Sequence, residues 1–549
     1  MIIYQVFPRL FGNDNPSPVK NGSKATNGCG TMSDFTTKAL EEIRGLGATY
    51  IWYTGIIMHA TQTDYSQYGI KSDNPAVVKG KAGSPYAIRD YYDVDPDLAT
   101  KVENRMQEFS NLIRRTHRAG LGVIIDFVPN HVARQYHSNA CPDGVEDLGA
   151  GDNREWAFSS QNNFYYLPGL ELTITSPDES AVYQEFPAKA TGNDVFSTSP
   201  SRDDWYETVK LNYGVDICSG RVPHFNPIPN TWKKMLHILL YWVKKGIDGF
   251  RCDMAEMVPV EFWEWVIPQV KRENPNIVFI AEVYNPAEYR NYIYKGHFDY
   301  LYDKVGLYDT LKAVSQLHCS AQSITYCWQS VDDIRRHMLY FLENHDEQRI
   351  SSDFFVCKAE KGRAPLLVST LMGQNPMMIY FGQELGEPGM DEEGFSGRDG
   401  RTSIFDYWTI DSIRRWRNKG KFNNELLTEK EIELRLFYQK ILCIKEKNAI
   451  FCKGDFYDLM YVNPDIHQQY IFLRHFNGKL ALVVANFADN DASVQINIPE
   501  DVMRLYGIES SDNISAIDLL SDKKYYIPFD PQSPIEITAP ALGGLILSF

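Results

Sequence analysis

Short apolar runs that break off in polar or charged residues recur along the first four-fifths of this chain, with amphipathic stretches of helical period between them. The runs are Ile2–Phe7, Tyr50–Tyr53, Val123–Phe127, Gly249–Arg251, Val278–Ala281, Tyr340–Leu342 and Met377–Phe381. Helical patterns fall at Phe35–Leu46, Met106–Ala119, Trp232–Lys245 and Phe262–Glu273. Alternation of this kind specifies a parallel sheet with crossover helices. A series close to eightfold specifies a (β/α)8 TIM barrel, an α/β fold, rather than an open sheet. The missing sixth strand is placed at Phe298–Tyr302.

Two departures from the rhythm divide the chain further. The stretch from Val132 to about Arg221 is too long for a plain loop and rich in Gly, Asn, Asp, Ser and aromatic residues. It is read as a small inserted domain after the third strand, on the face where barrel enzymes keep their active sites. After about Asn448 the pattern turns to period two, and Asn477-Gly478 between Tyr470–Phe476 and Lys479–Phe487 is a two-residue hairpin signal. The expected organisation is a barrel from residues 1–131 and 222–448, an insert at 132–221, and a C-terminal antiparallel β-sandwich at 449–549.

Composition narrows the functional classes. A net charge of −16 repels a phosphate backbone, which argues against nucleic acid as a partner. No run of 18 apolar residues occurs, so no membrane span is expected. Nine cysteines, an odd number without a CxxC pair, lend no support to a zinc or dithiol site; most are expected to be buried, reduced thiols. Aromatic residues reach 13%, which suits sugar stacking, although composition alone favours a large aromatic core. The first residues are already strand-like, with no basic-then-apolar leader. That fits a cytoplasmic protein, or a periplasmic or secreted one whose leader has been removed.

Three strand ends carry acidic residues: Asp253 after the fourth, Glu282 after the fifth and Asp346 after the seventh. Carboxylates converging on one barrel mouth repel one another unless the site uses them. Glycoside hydrolysis does: one attacks the anomeric carbon, a second donates a proton to the leaving oxygen, and negative charge stabilises the oxocarbenium-like transition state. Arg251, two residues before Asp253 on one strand, points to the same side and would keep that carboxylate ionised and oriented. A general acid must hold its proton at working pH, which needs partial burial or neighbouring negative charge.

These residues lie in four short segments, in order: Asp126-Phe127-Val128-Pro129-Asn130-His131, Gly249-Phe250-Arg251-Cys252-Asp253, Glu282-Val283, and Phe341-Leu342-Glu343-Asn344-His345-Asp346. Together they resemble the α-amylase family of retaining glycoside hydrolases over essentially the whole chain. Tyr86 within Tyr86-Ala87-Ile88-Arg89-Asp90-Tyr91-Tyr92, Leu211-Asn212-Tyr213 and Gly382-Gln383-Glu384 add secondary matches. The resemblance implies Asp253 as nucleophile, Glu282 as acid/base and Asp346 as transition-state stabiliser. It implies Tyr86 as a stacking platform, and His131 and His345 as donors to sugar hydroxyls. The implied substrate is an α-1,4-glucan such as starch, maltodextrin or a malto-oligosaccharide. Two inversions would retain the anomeric configuration, with the reacting carboxyls about 5–5.5 Å apart. Transglycosylation by the same residues, and a catalytically inactive sugar-binding or partner protein, are the alternatives.

The match fails in one place. Many family members carry Lys-His three and four residues beyond the nucleophile, where this chain has Glu256 and Met257. That puts ordinary leaving-group-side binding in doubt. Asn130 matches the family's calcium-ligating asparagine, which leaves two readings open: a structural calcium between barrel and insert, or a side chain that hydrogen-bonds its own loop. Asp152, Asp203, Asp204 and Asp216 are the candidate partners.

Overall fold

In the computed structural model, which describes residues 1–549, eight parallel strands close on themselves. In chain order they are β1 (Ile2–Val6), β2 (Tyr50–Tyr53), β3 (Gly122–Phe127), β4 (Gly249–Cys252), β5 (Val278–Ala281), β6 (Tyr300–Tyr302), β7 (Met338–Phe341) and β8 (Met377–Tyr380). Each pairs with its sequence neighbour, and β1 closes the ring on β8 through Ile2 opposite Met377 and Gln5 opposite Tyr380. The strands are short and nearly all buried, because helices cover the outside while side chains fill the inside. The four helical patterns appear at Thr37–Leu46, Arg105–Arg118, Asn230–Lys245 and Val260–Glu273. The seventh strand begins two residues earlier than its apolar run suggested, since Met338 and Leu339 pair with β6 while Leu342 has left the ladder.

Local chemistry fixes the helix ends. Thr36 caps the helix Thr37–Leu46 by accepting from the Ala39 amide, and Gly47 ends it at φ 114°. A Cβ at Gly47 would sit 2.8 Å from Leu442 Cβ, so only glycine lets the long helix Glu429–Lys447 lie this close.

Between β3 and the helix Asn230–Lys245 the chain forms short antiparallel pairs: Leu172–Thr175 with Val182–Glu185, Tyr166–Leu167 with Ala188–Lys189, and His131–Ala133 with Thr208–Lys210. The last pair sets Lys210 directly opposite His131. At the C-terminus six antiparallel strands form one sheet and Ala492–Ile496 with Ile535–Ala539 form a separate pair. Asn477 and Gly478 both take positive φ, 49° and 75°, as a two-residue type I′ hairpin requires. Arg474 ties this sheet to the barrel: wholly buried, it donates to the carbonyls of Met372 (2.6 Å) and Gly454 (2.7 Å).

The cysteines correct an expectation. All nine are free, but only Cys252 is buried; Cys218 and Cys357 are exposed and the other six are intermediate. Most sit on turns and helix flanks rather than on strands, which is why burial by residue type misleads here. No helix is long and apolar enough to cross a membrane.

Candidate active site

The site is built from one guanidinium outward. Arg251 lies on β4, and strand register places it beside Asp126 of β3. It is fully buried, with its Cζ 5.3 Å from the Trp52 ring, 5.4 Å from Tyr86 and 5.5 Å from Tyr302. Three aromatic faces around a cation offset part of its desolvation. Its Nη1 reaches Asp253 Oδ1 at 2.6 Å and Asp126 Oδ1 at 3.7 Å, and its Nη2 reaches Glu282 Oε2 at 2.9 Å. The expected contact with Asp253 is therefore present, but Arg251 also grips Glu282. It holds both carboxylates side by side.

Each carboxylate is further oriented. Met254, immediately after Asp253, is in the left-handed region at φ 45°, and its amide donates to Glu282 Oε2 at 2.8 Å. Strain at one residue thus aims a donor across two strand ends. The Tyr284 hydroxyl donates to Glu282 Oε1 at 2.6 Å. Asp126 accepts from Trp52 Nε1 at 3.0 Å and from the Gly55 amide at 3.3 Å. Burial pushes the Asp253 carboxyl well above the usual carboxylate range; the Arg251 cation opposes this, and Glu282 and Asp346 reinforce it. The arginine orients Asp253 without outweighing its burial. Burial likewise raises Asp126, to about 6, against the pull of Arg251.

Hydrogen-bond partners assign the histidine tautomers. Gln5 Nε2 can only donate, so His345 Nδ1 (2.9 Å) accepts and Nε2 carries the proton. That Nε2 lies 2.5 Å from Tyr86 Oη and 3.1 Å from Asp346 Oδ2. The Tyr86 ring stacks on His345 at 5.1 Å and 24°. At His131 the donor is Asn130: the Lys210 ammonium bonds Asn130 Oδ1, leaving Nδ2 to face His131 Nδ1 at 3.1 Å. His131 therefore carries its proton on Nε2 as well. Burial, with Lys210 and Lys79 nearby, lowers His131 to about 3; burial and then Arg251 take His345 well below its ordinary value. Both imidazoles are neutral donors.

A folded-state value depressed below the unfolded one gives stability that is present above about pH 6.5 and lost as pH falls, because the unfolded chain takes up the proton the buried imidazole refuses. For His131 the loss should approach ~1.4 kcal/mol per pH unit between about pH 6 and 4. Urea unfolding of wild type and His131→Asn at both ends of that window should show a shallower acid slope in the variant. Equal slopes would mean that His131 is not held neutral by the fold.

Asp253, Glu282, Asp346, Tyr86, His131 and His345 all line one cavity of about 340 Å³, near the lower end of small-molecule sites (~300–1,000 Å³). Asp346 is the most open of the three acids, with 44% of its side chain exposed. Several other wall residues belong to none of the sequence motifs. Trp205 stands 5.3 Å from the His131 ring, Lys79 and Glu207 form an ion pair at 2.8 Å, and Tyr284 and Phe405 complete the lining. Asp126 and Tyr284 stood in quoted segments or beside them, and only their contacts reveal their place.

Glu256 does not reach this cavity. Its Oε2 accepts from the amides of Tyr284 (3.2 Å) and Asn285 (3.0 Å), so it shapes the loop that carries Tyr284. The candidate calcium ligands also come apart. Asp152 accepts from its own loop at Asn163, Phe164 and Tyr166, Asp204 from Ser201 and Asp216 from Ser219. No cluster of three or more His, Cys, Asp or Glu side chains is arranged to hold a metal. The oxygen of Asn130 faces an ammonium group, and a divalent cation does not fit beside it.

Comparison with known proteins shows the family. Residues 5–426 match the family model described as "Alpha amylase, catalytic domain". The chain belongs to the alpha-amylase family. It is a glycoside hydrolase of that family, with the family's closed parallel barrel. The enzyme is 26% identical over 441 residues to Alpha-amylase 3 of Dictyoglomus thermophilum, covering 74% of this chain and 70% of that one. It is 22% identical over 530 residues to a cyclomaltodextrinase of Thermoanaerobacter pseudethanolicus, covering 93% and 75%. Its fold is similar to that of a noncanonic maltogenic alpha-amylase from Thermotoga neapolitana, with TM-score 0.63, 19% identity and coverage of 100% and 98%.

Proposed function

We propose that this alpha-amylase family enzyme hydrolyses α-1,4-glucosidic bonds of starch, maltodextrin or malto-oligosaccharides with retention of configuration. The observation that supports this most is the single guanidinium shared by Asp253 and Glu282 at the floor of one sugar-sized cavity. Asp253 attacks the anomeric carbon as the bond to the leaving oxygen breaks, and Glu282 delivers its proton to that oxygen. The glycosyl group is then esterified to Asp253. Water enters, gives a proton back to Glu282 and adds hydroxide to the same carbon, releasing Asp253. Asp346 and the Nε2–H groups of His131 and His345 hold the hydroxyls of the reacting ring, with Tyr86 as its stacking face.

The cavity is large enough to admit a pyranose ring. Relatives include the alpha-amylase and cyclomaltodextrinase above, whose names span glucan hydrolysis. Transglycosylation shares every step up to the covalent intermediate. Incubation with maltoheptaose, followed by NMR of the first anomer formed and by chain-length analysis, separates the outcomes. The expected result is an α-anomer with one new reducing end per bond cleaved. A β-anomer formed first would overturn the retaining mechanism, and longer oligosaccharides without new reducing ends would assign the enzyme to transfer.

A further inference from the structure

Lys210 is a buried cation at a junction. Its side chain is 5% exposed, and its Nζ touches three oxygens from three parts of the chain. These are Asn130 Oδ1, just beyond β3; Asp194 Oδ1 in the stretch after β3, at 2.7 Å; and the Met257 carbonyl beyond β4, at 3.5 Å. Antiparallel pairing with His131, and a hydrogen bond from the Leu211 amide to the Asn130 carbonyl at 3.0 Å, fix where the lysine stem begins. Asn130 extends the junction by donating from Nδ2 to the Gly192 carbonyl at 2.8 Å. Asp194 is itself held by Arg221 at 2.5 Å.

An amide oxygen, a carboxylate and a backbone carbonyl converging on one point are hard oxygen donors, the set that a divalent cation takes. Here an ammonium bonded to the chain stands at their centre. We infer that Lys210 is an internal cation that replaces a metal ion at the joint between the barrel and residues 132–221, and that it sets the Asn130 amide which fixes His131 as an Nε2–H donor. The joint then needs no calcium. A tethered cation cannot be removed by chelation, and it pays no binding entropy each time the joint forms.

The same contacts give Lys210 a bearing on the site. If its charge is lost, only the Nδ2 bond to the Gly192 carbonyl is left to orient the Asn130 amide beside His131.

Two experiments decide this. In the first, wild-type enzyme is dialysed against chelator, its calcium content measured, and its Tm compared in chelator and in ~10 mM CaCl2. The expected result is less than a tenth of an equivalent of calcium and a Tm unchanged within about 1 °C. Stoichiometric retained calcium, or a Tm that falls in chelator and returns with calcium, would overturn the inference whatever any variant does. In the second, Lys210→Ala vacates the position while leaving the three oxygens. Its Tm should be lower by about 5 °C, and calcium, without effect on wild type, should recover part of the loss. A Tm equal to wild type, or a folded variant indifferent to calcium, would overturn the inference.

Discussion

Asp253→Asn should lower kcat on a malto-oligosaccharide by ~10⁴-fold or more while leaving sugar binding within a few-fold of wild type. The amide keeps the volume and can still accept from Arg251, so the cavity wall is preserved, but it has no lone pair able to displace a glycosidic oxygen. The variant should also be at least as stable as the parent. Burial opposes ionisation of Asp253, and two other acids crowd it, so a neutral side chain there removes repulsion that catalysis requires and folding does not. Single-turnover kinetics and isothermal titration with maltotriose would check the first part, and Tm the second. Retention of more than ~1% of activity would place the nucleophile elsewhere.

Arg251→Leu should damage both stability and turnover. The guanidinium is the one cation among Asp126, Asp253 and Glu282, all buried, and removing one partner of a buried charge network costs about 3–5 kcal/mol. The sign with pH follows from the carboxylates left behind. Without the cation, protons bind Asp126 and Asp253 more tightly in the folded state than in the unfolded one. Stability is then present at low pH and lost as pH rises. The deficit relative to wild type should be small near pH 5 and largest near pH 8, read as the difference in Tm at the two values. A deficit independent of pH would show that Arg251 acts by packing against Trp52, Tyr86 and Tyr302 alone.

The barrel was legible because strands buried on both faces must be written as continuous apolar runs, and seven of the eight stood out that way. Tyr300–Tyr302 did not, since three residues carry too little pattern. Ser511–Asp518 in the C-terminal sheet was missed because only Ala516 and Asp518 of its eight side chains are buried. The acids were visible as strand-end residues, but their partnership through Arg251 was not. Sequence placed that arginine beside Asp253 by its two-residue spacing, whereas its contacts to Glu282 and Asp126 arise only when β3, β4 and β5 lie in register. Lys210 was hidden for a similar reason, because its neighbours are 80, 16 and 47 residues away along the chain.

The pairing of Ile2 with Met377 has a consequence for biogenesis. Strand β1 leaves the ribosome ahead of the other seven barrel strands and cannot find its partner β8 until about 375 further residues have followed. At ordinary elongation rates of ~5–20 residues per second, that leaves one edge of β1 without its partner for roughly twenty seconds to over a minute. During that interval an apolar strand with an open edge is a sticking point for other nascent chains. Slower translation would lengthen the interval, and a chaperone that covers residues 2–6 should raise the yield of soluble enzyme more than one acting after release.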